Sequence, residues 1–225
     1  MITLNHCEVS GWEAAIRGMR NPMNSWDKSD TDFSLSGMQS MGGILVPTIG
    51  DNDLTLMKKL VKAGSDHRKF MRQIFVSMDI TAPLYWWKEF DTYKVGTTSN
   101  SCSTMHTIHK TEFALKDFSF DQLCDDYNPY IIGSDAVKPI HVAKILVEEL
   151  NWLRYKYLES KDKRYWYSII QLLPSSYNQL RTVTMNYENL LNMYHARRNH
   201  KLAEWHTFCD FIKTLPYSEL ITGEE

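Results

Sequence analysis

Apolar and polar positions alternate in a few stretches of the chain and recur every three to four residues in others, and this pattern divides most of it into elements. In RQIFVSMDITA, Ile74, Val76, Met78 and Ile80 alternate with Phe75, Ser77 and Asp79, which predicts a half-buried strand. ITLNHCEVS alternates more loosely and reads as a first strand, and the β-branched LRTVTMN reads as another. GWEAAIRGMRN predicts a short helix. DNDLTLMKKLVKAG predicts a clean one, with Asp51 to Asp53 as N-cap candidates, a buried stripe of Leu54, Met57, Leu60 and Val61, and Gly64 as the residue just past its end. PLYWWKEFDTYK restarts as a helix with Pro83 at its first position, where a missing N–H costs nothing. Residues 140–158, KDKRYWYSIIQLL up to the stop at Pro174, YENLLNMYHARRNH and AEWHTFCDFIKTL are helical in period.

Between these elements lie two segments of another kind. Residues 21–50 are rich in Ser, Asp, Gly, Asn and Pro and predict a long loop, of the sort that serves as a lid or partner contact. Residues 119–139 carry turn signals and aromatics without a period. There is no internal repeat and no linker. The fold class expected is α+β, a small mixed sheet packed with helices, in one domain spanning residues 1–225.

Composition narrows the functions. A formal net charge of -2 over 225 residues gives no global field for nucleic acid or an anionic membrane, so any anion site must be local. The apolar runs GGILVP and YIIG are too short to span a bilayer, and MITLNHCEVSGWEAAIRG lacks the pattern of a signal peptide. Cys7, Cys102, Cys124 and Cys209 are scattered without a CxxC spacing and read as reduced thiols of a cytoplasmic protein. The histidines form no HxxxH or HExxH, so no metal site is expected.

Three stretches can carry chemistry, and each also has a plain structural reading. VGTTSNSCSTMH offers many donors after a helix, enough to cradle a phosphate or polar ring, or only to cap the next element. In APLYWWKEFDTYK, helical spacing sets Glu89 one turn beyond Tyr85 and Trp86 and one turn before Tyr93. Such a carboxylate among rings suits a base edge, or is the solvated side of a helix whose Trp86, Phe90 and Tyr93 lie in the core. Asn186, at a strand-to-helix junction, and Arg197 and Arg198, at the far end of the same helix, read as caps. Arginine's planar fork equally suits a phosphate or a pyrimidine carbonyl edge.

LLP…Y…RTVTMNYENLLNMYHAR resembles the C-terminal half of the flavin-dependent thymidylate synthases. That family has a Leu-Pro, a strand reaching Thr-x-Asn, and a helix bearing Asn-x-Arg-x-Leu-x-x-Phe-x-x-x-Arg. Leu173, Pro174, Thr184, Asn186, Leu190 and Arg197 stand at matching places. EAAIRGMRNPMNS is similar to the family's Ala-Ala-Arg-x-x-x-x-Ser start, and LVKAGSDHRKFMRQIFVSMDI to its Leu-x-x-His-x-x-Pro-Phe-Glu-His stretch. The departures are specific. Where the signature is Arg-His-Arg-x-x-Ser-x-Asn-x-x-Ser-x-Arg, an ungapped reading gives Thr92, Tyr93, Lys94, Thr97, Ser99, Cys102 and Thr104; one inserted residue gives Thr98, Asn100 and Ser103 in the polar places. The arginine before Leu-Pro is Ile170, that of Asn-x-Arg is Glu188, and the Glu-His pair is Met71 and Arg72. Each lost charge-assisted phosphate contact weakens binding by about 1.5–3 kcal/mol.

The resemblance implies FAD at a subunit interface of a homotetramer, NADPH as reductant, and transfer of a one-carbon unit from methylenetetrahydrofolate to dUMP. It implies Arg197 as the catalytic residue at the uracil carbonyl edge. Glu89, Ser99, Ser101 and Ser103 would line the nucleotide, and Arg72, Lys94, Asn100 and Asn186 the flavin. Two other functions stay open: a diverged relative that binds or modifies another nucleotide, and an interaction protein whose seven Trp and twelve Tyr form a partner surface with residues 21–50.

Overall fold

The computed structural model describes residues 2–128 and 137–223. It is an α+β fold built on a four-stranded sheet ordered β1-β4-β6-β5, with a separate two-stranded ribbon β2-β3. The strands are β1 (Thr3–Ser10), β2 (Met38–Met41), β3 (Ile44–Pro47), β4 (Phe75–Pro83), β5 (Thr98–Ser101) and β6 (Asn178–Asn186). The helices are α1 (Trp12–Arg20), α2 (Asp51–Lys62), α3 (Leu84–Phe90), α4 (Thr104–Thr107), α5 (Pro139–Ser160), α6 (Lys163–Leu172), α7 (Tyr187–Arg197), α8 (Ala203–Lys213) and α9 (Glu219–Thr222). Part of the unpatterned segment 119–139 lies outside the described residues.

Two compact units divide the chain. The terminal unit is Ile2–Ile80, Phe90–Asn100 and Arg181–Glu225, and the central unit holds Thr81–Glu89 and Ser101–Leu180. In the terminal unit the predicted alternation of β4 holds, with Ile74, Val76, Met78 and Ile80 all buried. They join Val183 and Met185 of β6, Tyr187, Leu190, Met193 and Tyr194 of α7, and Trp205, Phe208 and Ile212 of α8 in the core. In the central unit Ile108, Phe113 and Phe118 pack with Val147, Leu150 and Leu153 of α5 and Ile169 of α6. Asn151 of α5 holds the backbone of Phe113 from both sides, donating to its carbonyl and accepting from its N–H.

The long loop expected over residues 21–50 contains a β-hairpin. Met38 pairs with Pro47 and Met41 with Ile44, antiparallel. The turn is Gly42-Gly43, both at positive φ, as two-residue hairpin turns require. The signal was present as a glycine pair between short apolar runs, masked by the polar composition around it. The Tyr217 hydroxyl anchors the ribbon: it donates to Pro47 O and accepts from Gln39 Nε2 and Ile49 N, each at 2.8 Å.

The rest of that segment organises around a buried charge. Asp53 was expected as an N-cap of α2, but the cap position is Gly50 and Asp53 is fully buried. Its carboxylate accepts from Arg20 Nε at 2.6 Å, Ser29 Oγ at 2.8 Å, Thr31 Oγ1 at 2.7 Å and the N–H groups of Asp30 and Thr31. The first turn of α2 is instead capped from a distance, by Asp30, which accepts from Asn52 N and Asp53 N. Of the expected stripe on α2, Met57 is buried, while Leu54, Leu60 and Val61 are half-buried. Gly64 follows the helix at positive φ, as expected.

Gly11 is the N-cap of α1 at φ 91°, and a β-carbon there would stand 1.9 Å from the carbonyl oxygen of Gln73. Backbone cannot yield as a flexible side chain does. Gly11→Ala is therefore expected to cost at least about 2 kcal/mol and lower the unfolding midpoint by roughly 4–8 °C in a calorimetric scan.

Candidate functional site

Asn186 is the N-cap of α7, in a reciprocal capping box with Asn189. Its side-chain oxygen accepts from Asn189 N at 2.9 Å, and Asn189 Oδ1 accepts from Asn186 N at 3.2 Å. The capping reading of Asn186 is thus correct, and only its amide nitrogen is left for a ligand. Asn189 also donates from Nδ2 to Val95 O at 2.7 Å. The chain at Gly96 comes so close that a β-carbon there would lie 2.9 Å from Asn186 Nδ2. The beginning of the hydroxyl-rich stretch is thereby seated on the start of α7.

At the other end of α7, Arg197 is half-buried rather than a solvated C-terminal charge. Its Nε donates to the Tyr93 hydroxyl at 2.9 Å. Its guanidinium carbon lies 5.0 Å from the Trp205 ring centroid and 5.4 Å from that of Tyr93, within cation–π range. Trp205 is itself fully buried and packed with Phe90 and Phe208. The fork of Arg197 is therefore held in one orientation before any ligand arrives, which is what electrostatic stabilisation of a developing charge needs. Segment 93–97 connects the two ends, with Tyr93 on Arg197 and Val95 and Gly96 on Asn189 and Asn186. Tyr93 stands where the resembled family has histidine; Trp205 carries no signal in the sequence that sets it apart from a core aromatic. Helical spacing puts Tyr93 on the core face of α3, but that helix ends at Phe90.

Arg72 does not stand alone. Glu188, the second residue of α7 and buried, accepts from Arg68 Nε at 3.1 Å and from Arg72 Nε. Burial works against the Glu188 charge, but the hydrogen bonds from Arg72 and Arg68 outweigh it and hold its carboxyl below the usual range. Two departures noted separately in the sequence, an arginine at 72 and a glutamate at 188, are one ion pair. Arg181 pairs with Asp91 at 2.8 Å.

Ser99 and Asn100 lie on the exposed edge strand β5, and Lys94 is exposed. In the central unit, Ser101 is the exposed last residue of β5, and Ser103 caps α4 by accepting from His106 N. Glu89 is half-buried on α3. Desolvation pushes the Cys7 and Cys209 thiols up to about 11, so at neutral pH neither is the thiolate that a nucleophile needs.

The donor set fits a flavin nucleotide in kind. The Thr97 hydroxyl oxygen is buried with no hydrogen-bond partner among the described residues, and the preceding residue, Gly96, lies against the side-chain amide of Asn186. An orphaned buried hydroxyl suits a polar ligand edge. The cations differ in place from the family pattern: Lys94 alone remains in the signature stretch, and Arg68 and Arg72 supply charge from another turn.

No protein-family model matches the sequence, and no curated protein matches it. Solved structures do. Thymidylate synthase X (ThyX) from Helicobacter pylori, with FAD and dUMP, aligns at TM-score 0.63 over 99% of this chain and 96% of its own, at 15% identity. A second structure of that enzyme, complexed with FAD and dUMP, aligns at TM-score 0.63 and 16% identity over 99% and 97% of the two chains. The UMP/dUMP methylase PolB from Streptomyces cacaoi, bound with 5-Br UMP, aligns at TM-score 0.62 and 14% identity over 99% and 95%. The fold of this chain is ThyX-like over nearly its whole length.

Proposed function

We propose that this chain is a flavin-dependent enzyme that modifies a pyrimidine nucleotide, transferring a one-carbon unit from methylenetetrahydrofolate to dUMP. The observation that carries the reading is the Arg197 guanidinium, fixed by Tyr93 and Trp205 on the helix whose other end is capped by Asn186. When bound, FAD supplies the hydride, with NADPH as its reductant.

The chain's own residues bind, orient and polarise. Arg197 donates to the carbonyl edge of the uracil ring and stabilises negative charge as it develops on that oxygen. Tyr93 keeps the guanidinium plane in position for this. The resemblance assigns Ser99, Ser101 and Ser103 to the nucleotide and Glu89 to a base N–H. Asn186, through its amide nitrogen, and Asn100, Lys94 and Arg72 hold the flavin. The raised pKa values of Cys7 and Cys209 agree with a reaction that takes no thiolate from either of them. By resemblance the working form is a homotetramer.

A second reading keeps the nucleotide and changes the acceptor. The Arg68–Glu188–Arg72 group favours it, because it alters charge where the resembled family has the opposite sign at position 188. The interaction-protein reading loses its main support, since Trp86 and Trp87 are 0% and 1% exposed.

The absorption spectrum of freshly purified protein tests the proposal. An oxidised-flavin spectrum, or its appearance on adding FAD with dUMP, is the expected result. A thermal shift with pyrimidine nucleotides but none with FAD would select the second reading, since a ligand that binds only the native state must raise its midpoint. No response to either would end both.

A further inference from the structure

We propose that Arg68, Glu188 and Arg72 form an anion clamp that takes the phosphate or diphosphate of a nucleotide ligand. The assignment rests on the nucleotide reading above for its ligand class, and on the clamp's own geometry for its place.

Glu188 is 7% exposed, and each of its oxygens accepts one Nε–H, from Arg68 and from Arg72. A guanidinium carries five N–H donors in a fixed fork. Each arginine therefore uses one donor on Glu188, and the others have no protein partner among the described residues. The Arg72 side chain is 51% exposed, so its fork reaches the surface while its Nε stays fixed. One carboxylate against two guanidiniums leaves net positive charge. Lys69 and His67 are exposed in the same turn, where Asp66 is the one acid. A brace between this turn and α7 needs only a single Arg–Glu pair, and a second partly buried guanidinium adds desolvation cost without adding a partner. That second arginine is explained if the unused N–H edges have an anion to meet. Two planar forks tethered to one carboxylate match a phosphate, which offers more oxygens than a carboxylate and accepts them bidentately. The N-terminal end of α7, which carries Glu188, adds a favourable partial charge.

Calorimetric titration of the full chain with inorganic pyrophosphate, dUMP, deoxyuridine, FAD and riboflavin tests this, on wild type, Arg72→Gln and Arg72→Lys. Pyrophosphate is expected to bind wild type and to weaken at least about tenfold in Arg72→Gln, as loss of one charge-assisted contact implies. Arg72→Lys should recover only part of this, because it keeps the charge and loses the fork. Deoxyuridine and riboflavin should bind both variants like wild type. A loss confined to dUMP identifies the substrate phosphate as the occupant, and one confined to FAD identifies the flavin diphosphate. Absence of pyrophosphate binding to wild type, or an equal loss for the phosphate-free compounds, overturns the clamp. Pyrophosphate binding without any nucleoside or flavin binding sustains the clamp and sinks the enzyme reading. Arg72→Gln also removes one of the two donors to buried Glu188, so its unfolding midpoint is expected to fall by roughly 3–12 °C, with deoxyuridine and riboflavin binding as the check that the folded site persists. Arg68→Gln gives a second loss of the same sign, coupled to that of Arg72 through Glu188.

Discussion

Replacing Asp53 with alanine is expected to lower the unfolding midpoint by roughly 6–20 °C. Stranding one partner of a buried ion pair costs about 3–5 kcal/mol, which in a domain of this size moves the midpoint by that amount. Arg20, 4% exposed, would keep its charge without a counter-ion, and the donors on Ser29, Asp30 and Thr31 would lose their acceptor. The loss would unseat residues 25–31 together with the capping of α2 by Asp30, because both depend on the same turn. Asp53→Asn keeps the shape and loses the charge, so it should fall between wild type and alanine. The pH dependence has a definite sign. Burial opposes the Asp53 charge, but hydrogen bonds from Thr31, Ser29 and Arg20 and the Arg20 charge outweigh it, so its pKa is lowered. A carboxylate depressed in the folded state stabilises fully above its unfolded value of about 3.9 and loses that contribution as pH falls through the folded value. Acid titration of stability should show wild type losing more than Asp53→Asn below about pH 4. Equal slopes for the two proteins would refute the assignment.

Arg197→Ala is expected to weaken pyrimidine-nucleotide binding by about 10- to 100-fold, the range for removing a charge-assisted donor. Arg197→Lys should restore little of it. A lysine ammonium keeps the charge, but it cannot donate to Tyr93 and present a planar edge at once. Tyr93→Phe removes the hydroxyl that accepts from Nε and leaves the ring, so it should cost less than Arg197→Ala and more than nothing. Titration calorimetry of dUMP on the three variants, with circular dichroism as the check on folding, reads the order directly. Wild-type affinity in Arg197→Ala would remove the residue from the site.

Strands β1, β4 and β6 and most of the helices are legible because their cause is local, whereas β5 lies in a hydroxyl-rich stretch that reads as loop. Alternation in β4, the period of α5 and α7, and Gly64 past α2 each follow from a few neighbouring side chains. The hairpin at Met38 to Pro47 was missed, since its glycine pair sat within a polar tract that reads as loop. The reach of α3 was overestimated: apolar spacing ran on to Tyr93, while the helix stops at Phe90.

Sequence by itself determined the α+β class, the buried face of the central strand, the strand-to-helix junction at Asn186 and the family whose fold the chain resembles. Tertiary structure decided the partners. It turned Asp53 from a helix cap into the buried anchor of Arg20, joined Arg72 to Glu188 across more than a hundred residues, and brought Tyr93 and Trp205 to Arg197. The reason is physical: periodicity reports which way a side chain faces within its own element, whereas ion pairs and cation–π contacts depend on which elements pack together, and that is set by burial of the whole core.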